Sequence, residues 1–361
     1  MVIARAPLRI SFAGGGTDID AYYQQYGGLV VSSAITRYCT VTLRPSCDGG
    51  IRLTSIDYRQ SERFAPGVLP EVVEPLALPK AAIEWFVTRG LLHGGVELTL
   101  RSDVPPGTGL GSSSAMAVAL VRALATHCAQ EMTPAQVAEF ACELEIGRLN
   151  MPIGKQDQYA GAFGGLNAIV FEPNAVRVEP LDLAPDTLGR LNRRLLLFAT
   201  GKQRKSTDIL RGQRADTGRK KPVVDALHEI KAIAGDVRQA LLSGELDEVG
   251  GLLERGWQQK KQLSTAISNG AIDRWYRLAR EEGALGGKIV GAGGGGFLLL
   301  YCAPERHDAV RRILCQHGLC ELRFALEPNG ACTLDDCPAS DEARLAIVNA
   351  EGRDVHDATY D

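Results

Sequence analysis

The stretch DVPPGTGLGSSSA, residues 103–115, lies between an alternating strand pattern and an apolar, alanine-rich helix pattern. Its three glycines occupy every second position, so the backbone can adopt positive φ angles and bring N–H groups close to an anion. The serines supply hydroxyl groups and a cap for a helix predicted from Ser112 to His127, whose positive end would face a bound anion. The stretch predicts a phosphate-binding loop; the alternative is a glycine-rich turn with an ordinary serine cap.

The phosphate loop is not of the P-loop NTPase type. That class requires the pattern Gly-x-x-x-x-Gly-Lys-Ser/Thr. The chain contains Gly-Lys pairs at residues 154–155, 201–202 and 287–288, and none has the required flanking residues.

Length and composition predict a two-lobed globular protein. The 361 residues exceed the size at which one core usually suffices. The formal net charge of −3 argues against a nucleic-acid-binding surface. No apolar run reaches the roughly 18 to 20 residues of a membrane span, and the first residues lack a signal-peptide pattern. We therefore expect a cytoplasmic protein with no membrane or nucleic-acid partner, and the sequence leaves a homodimer open.

A strand that ends in a glycine turn begins the chain. Leu8, Ile10 and Phe12 alternate with Arg9, which should project from the opposite face. The turn at residues 14–16 leads into Thr17 and Asp18, which could offer hydrogen bonds to a sugar. A solvated arginine on an edge strand is the alternative interpretation of Arg9.

Two carboxylates downstream are candidates for chemistry. Thr133 and Gln136 form a capping-box pattern, and the helix that follows places Glu145 at the border of its buried stripe. Asp157 lies in a Lys-Gln-Asp-Gln cluster surrounded by apolar residues, and such polar groups must be paired or used. The alternatives are a salt-bridged border residue for Glu145 and a favourable helix N-terminal charge for Asp157.

Turns and loops elsewhere in the chain support further predictions. A hairpin is predicted at residues 47–50, between strands at 41–44 and 51–55. The basic loop at residues 201–207 ends an apolar strand and suits either a phosphorylated substrate or an exposed loop. The glycine run at residues 291–296 leads into a strand, which excludes a Rossmann fingerprint.

A zinc site could use the spacing of four cysteines, namely Cys315, Cys320, Cys332 and Cys337. However, Cys315 looks helical and Cys320 begins a strand, which disfavours a metal site.

Three segments in order resemble the motifs of the GHMP small-molecule kinases. The first is Pro7-x-Arg9 followed by the glycine turn and Thr17-Asp18; the second is residues 103–115; the third is residues 288–297. The resemblance implies an α+β fold of two lobes that bind ATP and Mg²⁺ between them. The expected N-terminal lobe, residues 1–185, is ribosomal S5-like, and the expected C-terminal lobe, residues 186–361, is ferredoxin-like.

The resemblance also implies roles for individual residues. Asp157 would be the general base, Arg9 would lie beside the transferred phosphate, and Glu145 would bind Mg²⁺ together with Ser113, with Ser112 and Ser114 as register alternatives. The expected nucleotide-binding residues are Pro106, Gly107, Gly109, Leu110, Gly111, Ser112, Ser113 and Ser114. The expected substrate-binding residues are Gly16, Thr17, Asp18, Arg204 and Gly294.

The first motif narrows the expected substrate. Galactokinases carry an acidic residue and a histidine where this chain has Gly15 and Gly16. The glycine turn and the tyrosines after it are more similar to the bacterial D-glycero-α-D-manno-heptose 7-phosphate kinases and the fucokinase-type enzymes. The resemblance implies phosphorylation of the anomeric hydroxyl of D-glycero-α-D-manno-heptose 7-phosphate. The product would be the 1,7-bisphosphate, which is used in the biosynthesis of nucleotide-activated heptose. The alternatives are a kinase of a free sugar and a non-catalytic ATP and sugar sensor.

Overall fold

The computed structural model describes residues 1–201, 206–217 and 219–334. Its strands are, in chain order, β1 (Val2–Ala13), β2 (Gly28–Pro45), β3 (Ile51–Ser55), β4 (Gln60–Phe64), β5 (Val96–Ser102), β6 (Leu166–Glu172), β7 (Ala175–Pro180), β8 (Leu195–Ala199), β9 (Ala284–Ile289), β10 (Phe297–Cys302), β11 (Cys320–Glu321) and β12 (Cys332–Thr333). The α-helices are α1 (Asp20–Tyr26), α2 (Ala77–Thr88), α3 (Ser112–His127), α4 (Pro134–Cys142), α5 (Gln156–Phe163), α6 (Pro185–Asn192), α7 (Ser206–Thr217), α8 (Lys221–Ser243), α9 (Leu246–Leu263), α10 (Gly270–Glu281) and α11 (His307–Gln316). A π-helical segment, Glu143–Arg148, continues α4, and a short 3₁₀ turn, Pro304–Arg306, precedes α11.

The described strands form two sheets, which confirm the two-lobed α+β fold. The larger sheet has the order β12-β1-β2-β5-β3-β4, and β6 with β7 extends it from the first half of β2. The smaller sheet is antiparallel with the order β11-β8-β10-β9. Its strands follow the chain as β, helices, β, β, helix, β, which is the ferredoxin-like succession.

The predicted hairpin at residues 47–50 is wrong. β5 lies between β2 and β3, antiparallel to the first and parallel to the second. Val41 and Leu43 of β2 are aligned with Leu100 and Leu98 of β5, and all four are buried. This pairing unites the apolar faces of two strands that are distant in sequence, a gain that the local turn pattern cannot reveal.

The chain passes from the larger sheet to the smaller one and later returns. Its last strand in the larger sheet before it leaves ends at Pro180, and the first strand of the smaller one begins at Leu195. However, β12 pairs with β1, and Glu327 donates its backbone N–H to Ala34. The chain therefore returns to the first sheet instead of remaining in the second lobe.

Two long helices connect the cores. In α8, Leu227 and Ile230 belong to a cluster built on the smaller sheet, whereas Ile233 and Val237 belong to a larger cluster that joins the core of the larger sheet to the other face of β8 and β10. The helix α9 is divided in the same manner, and its Trp257 is fully buried. None of the described helices is long and apolar enough to cross a bilayer.

Candidate active site

The candidate site is a cleft where both lobes contribute side chains and glycine backbone. It is bounded by the end of β1, the loop before α3, the first turn of α5, the loop after β9, and the helices α7, α8 and α9. Its charged and amide side chains come from both sides of the cleft and are Arg9, Asp18, Gln156, Asp157, Gln213, Lys260 and Lys288.

The loop before α3 has the backbone that its glycines predict. Gly107, Gly109 and Gly111 all adopt positive φ, between 76° and 85°. The predicted serine cap, however, is wrong: Gly111 is the N-cap residue, and no side chain caps the helix. Because Ser112, Ser113 and Ser114 are already in the first helical turn, their hydroxyls are not needed as caps, and their amides have no intrahelical acceptor. This end of α3 can donate to an anion.

Arg9 joins the phosphate loop to Asp157. Its Nε and one terminal nitrogen lie 2.8 and 2.7 Å from Oδ1 of Asp157. Its other terminal nitrogen donates to the Gly109 carbonyl at 2.7 Å. Arg9 is only 3% exposed, so it is not a solvated arginine on an edge strand. The pair places a carboxylate beside the loop predicted to hold phosphate.

Asp18 is held at the opposite side of the first turn of α5. Its Oδ1 accepts from the Gly16 amide at 2.9 Å, and its Oδ2 accepts from the backbone and side-chain nitrogens of Gln156 at 3.2 and 3.1 Å. Burial raises the pKa of Asp18, with a contribution from the nearby Asp157, while the amide hydrogen bonds lower it. These contacts orient a buried carboxylate whose free lone pairs can accept hydrogen bonds from hydroxyls.

Glu145 is fully buried beneath the phosphate loop in the π-helical segment. Its Oε1 accepts from the Ser113 hydroxyl at 2.6 Å, and its Oε2 accepts from the Gln158 amide at 2.6 Å. Burial is the main cause that raises its pKa. The side chains of both Ser113 and Ser114, two of the three register alternatives, are hydrogen-bond partners that act to lower the pKa of Glu145.

The donor set at Glu145 fits Mg²⁺. A carboxylate and a hydroxyl beside a phosphate-binding loop are the oxygen ligands that Mg²⁺ uses when substrate phosphates complete its shell. Among the described residues, no three His, Cys, Asp or Glu side chains group together as a metal site, so a cation here would depend on the nucleotide. Cys315 and Cys320 are exposed thiols in a helix and at a strand start, as predicted, and Cys337 lies outside the described residues.

The remaining predicted substrate residues have different positions. Gly16 lines the cleft, but Thr17 is fully buried, and its hydroxyl donates to the carbonyls of Gly14 and Leu29. Gly294 uses its N–H to bond the Ile267 carbonyl at 2.7 Å, whereas Gly291 lines the cleft. Thr17 and Gly294 thus support the turn and the loop. Arg204 lies outside the described residues.

Sequence reasoning missed four cleft side chains. Lys288 is buried and Lys260 is half-buried. Gln156 and Gln213 are amides with a buried atom, Oε1 and Nε2 respectively, that has no hydrogen-bond partner among the described residues. A signal existed for Lys260, because it follows the buried Leu253 at helical spacing of seven residues and so falls on the apolar stripe of α9.

Comparison with protein families matches most of the central chain to one family. Residues 77–165 match the model described as "GHMP kinases N terminal domain", and residues 237–319 match "GHMP kinases C terminal". The first match contains the phosphate loop, Glu145 and Asp157. The second contains Lys260, Lys288 and the glycine loop after β9.

Named relatives agree with this family. The chain is 31% identical over 322 residues to a D-glycero-alpha-D-manno-heptose 7-phosphate kinase from Campylobacter jejuni, covering 87% of this chain and 93% of the relative. It is 29% identical to an L-fucokinase/L-fucose-1-P guanylyltransferase from Bacteroides fragilis, covering 88% of this chain and 36% of that longer protein.

A solved structure also superimposes over most of the chain. The crystal structure of a D-glycero-D-manno-heptose 1-phosphate kinase from Bacteroides thetaiotaomicron has a TM-score of 0.78 at 27% identity and covers 94% of this chain and all of its own. The fold is thus shared with a solved sugar kinase over nearly its whole length. The chain belongs to the GHMP kinase family.

Proposed function

We propose that the chain is an ATP-dependent sugar kinase that phosphorylates the anomeric hydroxyl of D-glycero-α-D-manno-heptose 7-phosphate and yields the 1,7-bisphosphate. The observation that carries the proposal is the arrangement at the first turn of α5. There, Asp157 is bonded to Arg9, and Arg9 also donates to the Gly109 carbonyl of the phosphate loop. On the other side, the hydrogen-bonded side chains of Asp18 and Gln156 form a polar wall of the cleft. A hydroxyl held by this wall would lie beside both a base and a phosphate.

Asp157 is the proposed general base. Its carboxylate would accept the proton of the anomeric hydroxyl as the oxygen of that hydroxyl forms a bond to the γ-phosphorus and the bond from that phosphorus to the ADP oxygen breaks. Arg9 is bonded to both the Asp157 carboxylate and the Gly109 carbonyl of the loop. Its positive charge would therefore lie close to the phosphoryl group during transfer and stabilise it.

ATP would be held by the loop glycines and the first-turn amides of α3, and Mg²⁺ by Ser113 and Glu145. When bound, they supply the phosphoryl group and neutralise charge on its oxygens. The burial of Glu145 without a cationic partner in the described part of the chain supports this assignment, because a buried carboxylate is stabilised by a cation.

Asp18 would bind hydroxyls of the sugar. Two further groups beside it support a polyol ligand: the Oε1 of Gln156 and the Nε2 of Gln213 are buried and have no partner within the part of the chain that the structure describes. A methyl group built on Gly16 would lie 2.5 Å from that Nε2, so glycine at this position leaves room for the amide. One acceptor and one donor next to a carboxylate match the donor and acceptor character of neighbouring hydroxyls.

The choice of heptose 7-phosphate rests on the relatives and on the first motif. The Campylobacter relative carries that name, and the Bacteroides structure is named for a heptose phosphate as well. The fucokinase relative supports the second candidate, a kinase of a free sugar. A non-catalytic sensor is disfavoured because Arg9, Asp157 and Glu145 retain their mutual placement with the phosphate loop.

The test is ADP release with ATP and Mg²⁺ on a panel of D-glycero-D-manno-heptose 7-phosphate, free heptose, fucose, galactose and mannose. Phosphorus NMR of the product identifies the position of the new phosphate. We expect an anomeric phosphate with heptose 7-phosphate alone. Faster turnover of a free sugar would mean that the free sugar, and not heptose 7-phosphate, is the substrate. Nucleotide binding without ADP release on any sugar would favour the sensor.

A further inference from the structure

Two lysines of the second lobe point into the cleft and touch backbone carbonyls there. Nζ of Lys260, in α9, donates to the carbonyls of Ile289 and Gly291 at 3.1 and 2.5 Å. Nζ of Lys288, in β9, donates to the Phe12 carbonyl at 3.0 Å and lies 3.4 Å from the Ser11 hydroxyl. An ammonium group has three donors, so each lysine retains one N–H beyond these contacts.

The charge of these lysines is not balanced by a direct ion pair. Within the described ranges of the chain, no carboxylate oxygen lies within 4 Å of either Nζ. The charged groups that act on Lys260 are Arg9 and Asp18, and those that act on Lys288 are Lys260 and Arg9. Asp157, the carboxylate nearest to Arg9, is already bonded to it. Protonation of either lysine is therefore costly unless an anion joins it.

Carbonyl contacts explain part of the arrangement, because they fix the loop after β9 against the end of β1. They do not require a charge, however: neutral donors would make the same bonds at a smaller desolvation cost. Three basic side chains that line one cleft, close to the loop predicted to hold phosphate, therefore indicate an anionic ligand.

We propose that Lys260 and Lys288 form, together with Arg9, a subsite for a phosphate group. This inference rests on the proposed kinase function and deepens it. Two phosphates could occupy the subsite: the γ-phosphate of the nucleotide, or the phosphate that the acceptor sugar already carries. Both present the same dianionic oxygens, which each lysine can bind with its remaining N–H.

Occupation of the subsite is coupled to proton uptake. Burial, followed by the charge of Arg9, lowers the pKa of Lys260 to about 7, and burial also lowers the pKa of Lys288. At pH 8 Lys260 is mostly neutral in the free protein. A dianion within hydrogen-bonding distance raises the pKa of an ammonium group. Phosphate binding should therefore be accompanied by the uptake of up to one proton by Lys260.

The experiment is calorimetric titration of the full chain at pH 8 in two buffers of different ionisation enthalpy, which counts the protons taken up. One arm compares the non-hydrolysable ATP analogue AMPPNP with ADP, both with Mg²⁺. The other compares heptose 7-phosphate with free heptose. Each is repeated with Lys260→Met, Lys288→Met and a control, Lys261→Met, whose side chain is partly exposed beside Trp257 and Asp273.

In one arm, we expect the ligand that carries the additional phosphate to bind more tightly than the ligand without it. Its binding should be accompanied by proton uptake. Either cleft substitution should reduce that gain by about 10- to 100-fold, the value of a charged hydrogen bond. Lys260→Met should also reduce the proton uptake, whereas the control retains both. An effect in the AMPPNP arm assigns the subsite to the γ-phosphate, and an effect in the heptose arm assigns it to the acceptor.

The proposal is overturned if the additional phosphate brings the unmodified protein no gain in affinity in either arm, a measurement that needs no variant to fold. It is also overturned if both cleft variants keep the full affinity gain. Absence of binding by both heptoses would reject the proposed substrate only, because the nucleotide arm still reports on the lysines.

Discussion

At the scale of single residues, Asp157 depends on a partner that is far away in sequence. Arg9 and Asp157 come from β1 and α5, and their contact at 2.7 Å exists only because the first turn of α5 lies against β1. A first-turn aspartate alone would be an ordinary helix-stabilising charge. The arginine makes it a candidate base that is also fixed in orientation.

Asp157→Asn should lower kcat by about 10²- to 10⁴-fold, because the amide cannot accept the proton of the acceptor hydroxyl. Nucleotide affinity should remain, since the loop that binds it is unchanged. The matched control is Asp186→Asn, another first-turn aspartate, whose side chain is 80% exposed in α6. Steady-state ADP release measures both variants, and unchanged turnover of Asp157→Asn would remove its role as base.

The buried Lys260 should make stability depend on pH. Its pKa is lowered to about 7 in the folded protein, against 10.5 in the unfolded chain. The unfolded state therefore binds more protons between these values, and the free energy of unfolding rises with pH by up to about 1.4 kcal/mol per pH unit from this group. Below pH 7 both states are protonated, and the full cost of burying the charge is present.

Chemical denaturation of the unmodified protein and of Lys260→Met at pH 7 and pH 9 isolates this group. The gain in stability between the two pH values should be larger for the unmodified protein. Equal gains in the two proteins would mean that Lys260 has the same pKa folded and unfolded.

The sequence predicted those site residues that stand in a local pattern. Gly107, Gly109 and Gly111 at alternating positions, Asp157 in a polar cluster and Glu145 at a stripe border are visible from neighbouring residues alone. The roles that Lys260, Lys288 and Gln213 have in the cleft depend on the second lobe lying over β1 and α1, which no local pattern encodes. The serine cap failed because the glycine before the serines can itself adopt the left-handed conformation at the N-cap.

At the scale of elements, the segment before α5 shapes the acceptor side of the cleft. A methyl group built on Gly154 would lie 1.9 Å from Oδ2 of Asp18 and 2.9 Å from its backbone carbonyl. The backbone here passes so close to Asp18 that only glycine fits. Gly154 therefore determines where Asp18 lies relative to Gln156.

Gly154→Ala should displace Asp18 and raise KM for the sugar by about tenfold or more, the loss of roughly one charged hydrogen bond. Nucleotide KM should change little. Gly235→Ala in α8 is the control, since nothing lies within 4 Å of its added methyl group. Substrate-saturation kinetics for both ligands provide the measurement. A variant whose nucleotide KM rises as much as its sugar KM would show that Gly154 supports the whole cleft and not the acceptor side.

Elements with strong local signals were predicted well, and elements joined by distant pairing were not. α3 was predicted with its observed bounds, and the capping box at Thr133 and Gln136 is present. The hairpin error arose because β5, which comes later in the chain, provides a better apolar partner for β2 than β3 does. Pairing order in a sheet is decided by side chains across the sheet, and a single sequence does not show those.

At the scale of the whole molecule, two glycine loops hold the lobes in register. A methyl group on Gly291, which has a φ of 69°, would lie 2.5 Å from Cα of Gly109. One on Gly296 would lie 2.2 Å from the Thr108 carbonyl. The loop after β9 therefore packs backbone against backbone on the phosphate loop, and the shape of the nucleotide site depends on this contact between lobes.

Gly291→Ala should push the two loops apart. We expect a loss of about 1–3 kcal/mol in the free energy of unfolding, from strain and the steric clash, together with weaker binding of ATP. Denaturation and nucleotide titration provide the two measurements. Gly251→Ala, in α9 with open space around it, is the control. Retention of full ATP affinity by Gly291→Ala would indicate that the loops can separate without consequence for the nucleotide.

The pairing of β12 with β1 has a consequence for biosynthesis. Ala4 is aligned with Thr333, so β1 waits during synthesis for β12, which is made after the other strands of both sheets. During that time an edge of the larger sheet is open on the ribosome and can pair with another nascent chain. The lobe that is translated first is thus completed last, and nascent chains arrested before Thr333 should be the aggregation-prone form of this protein.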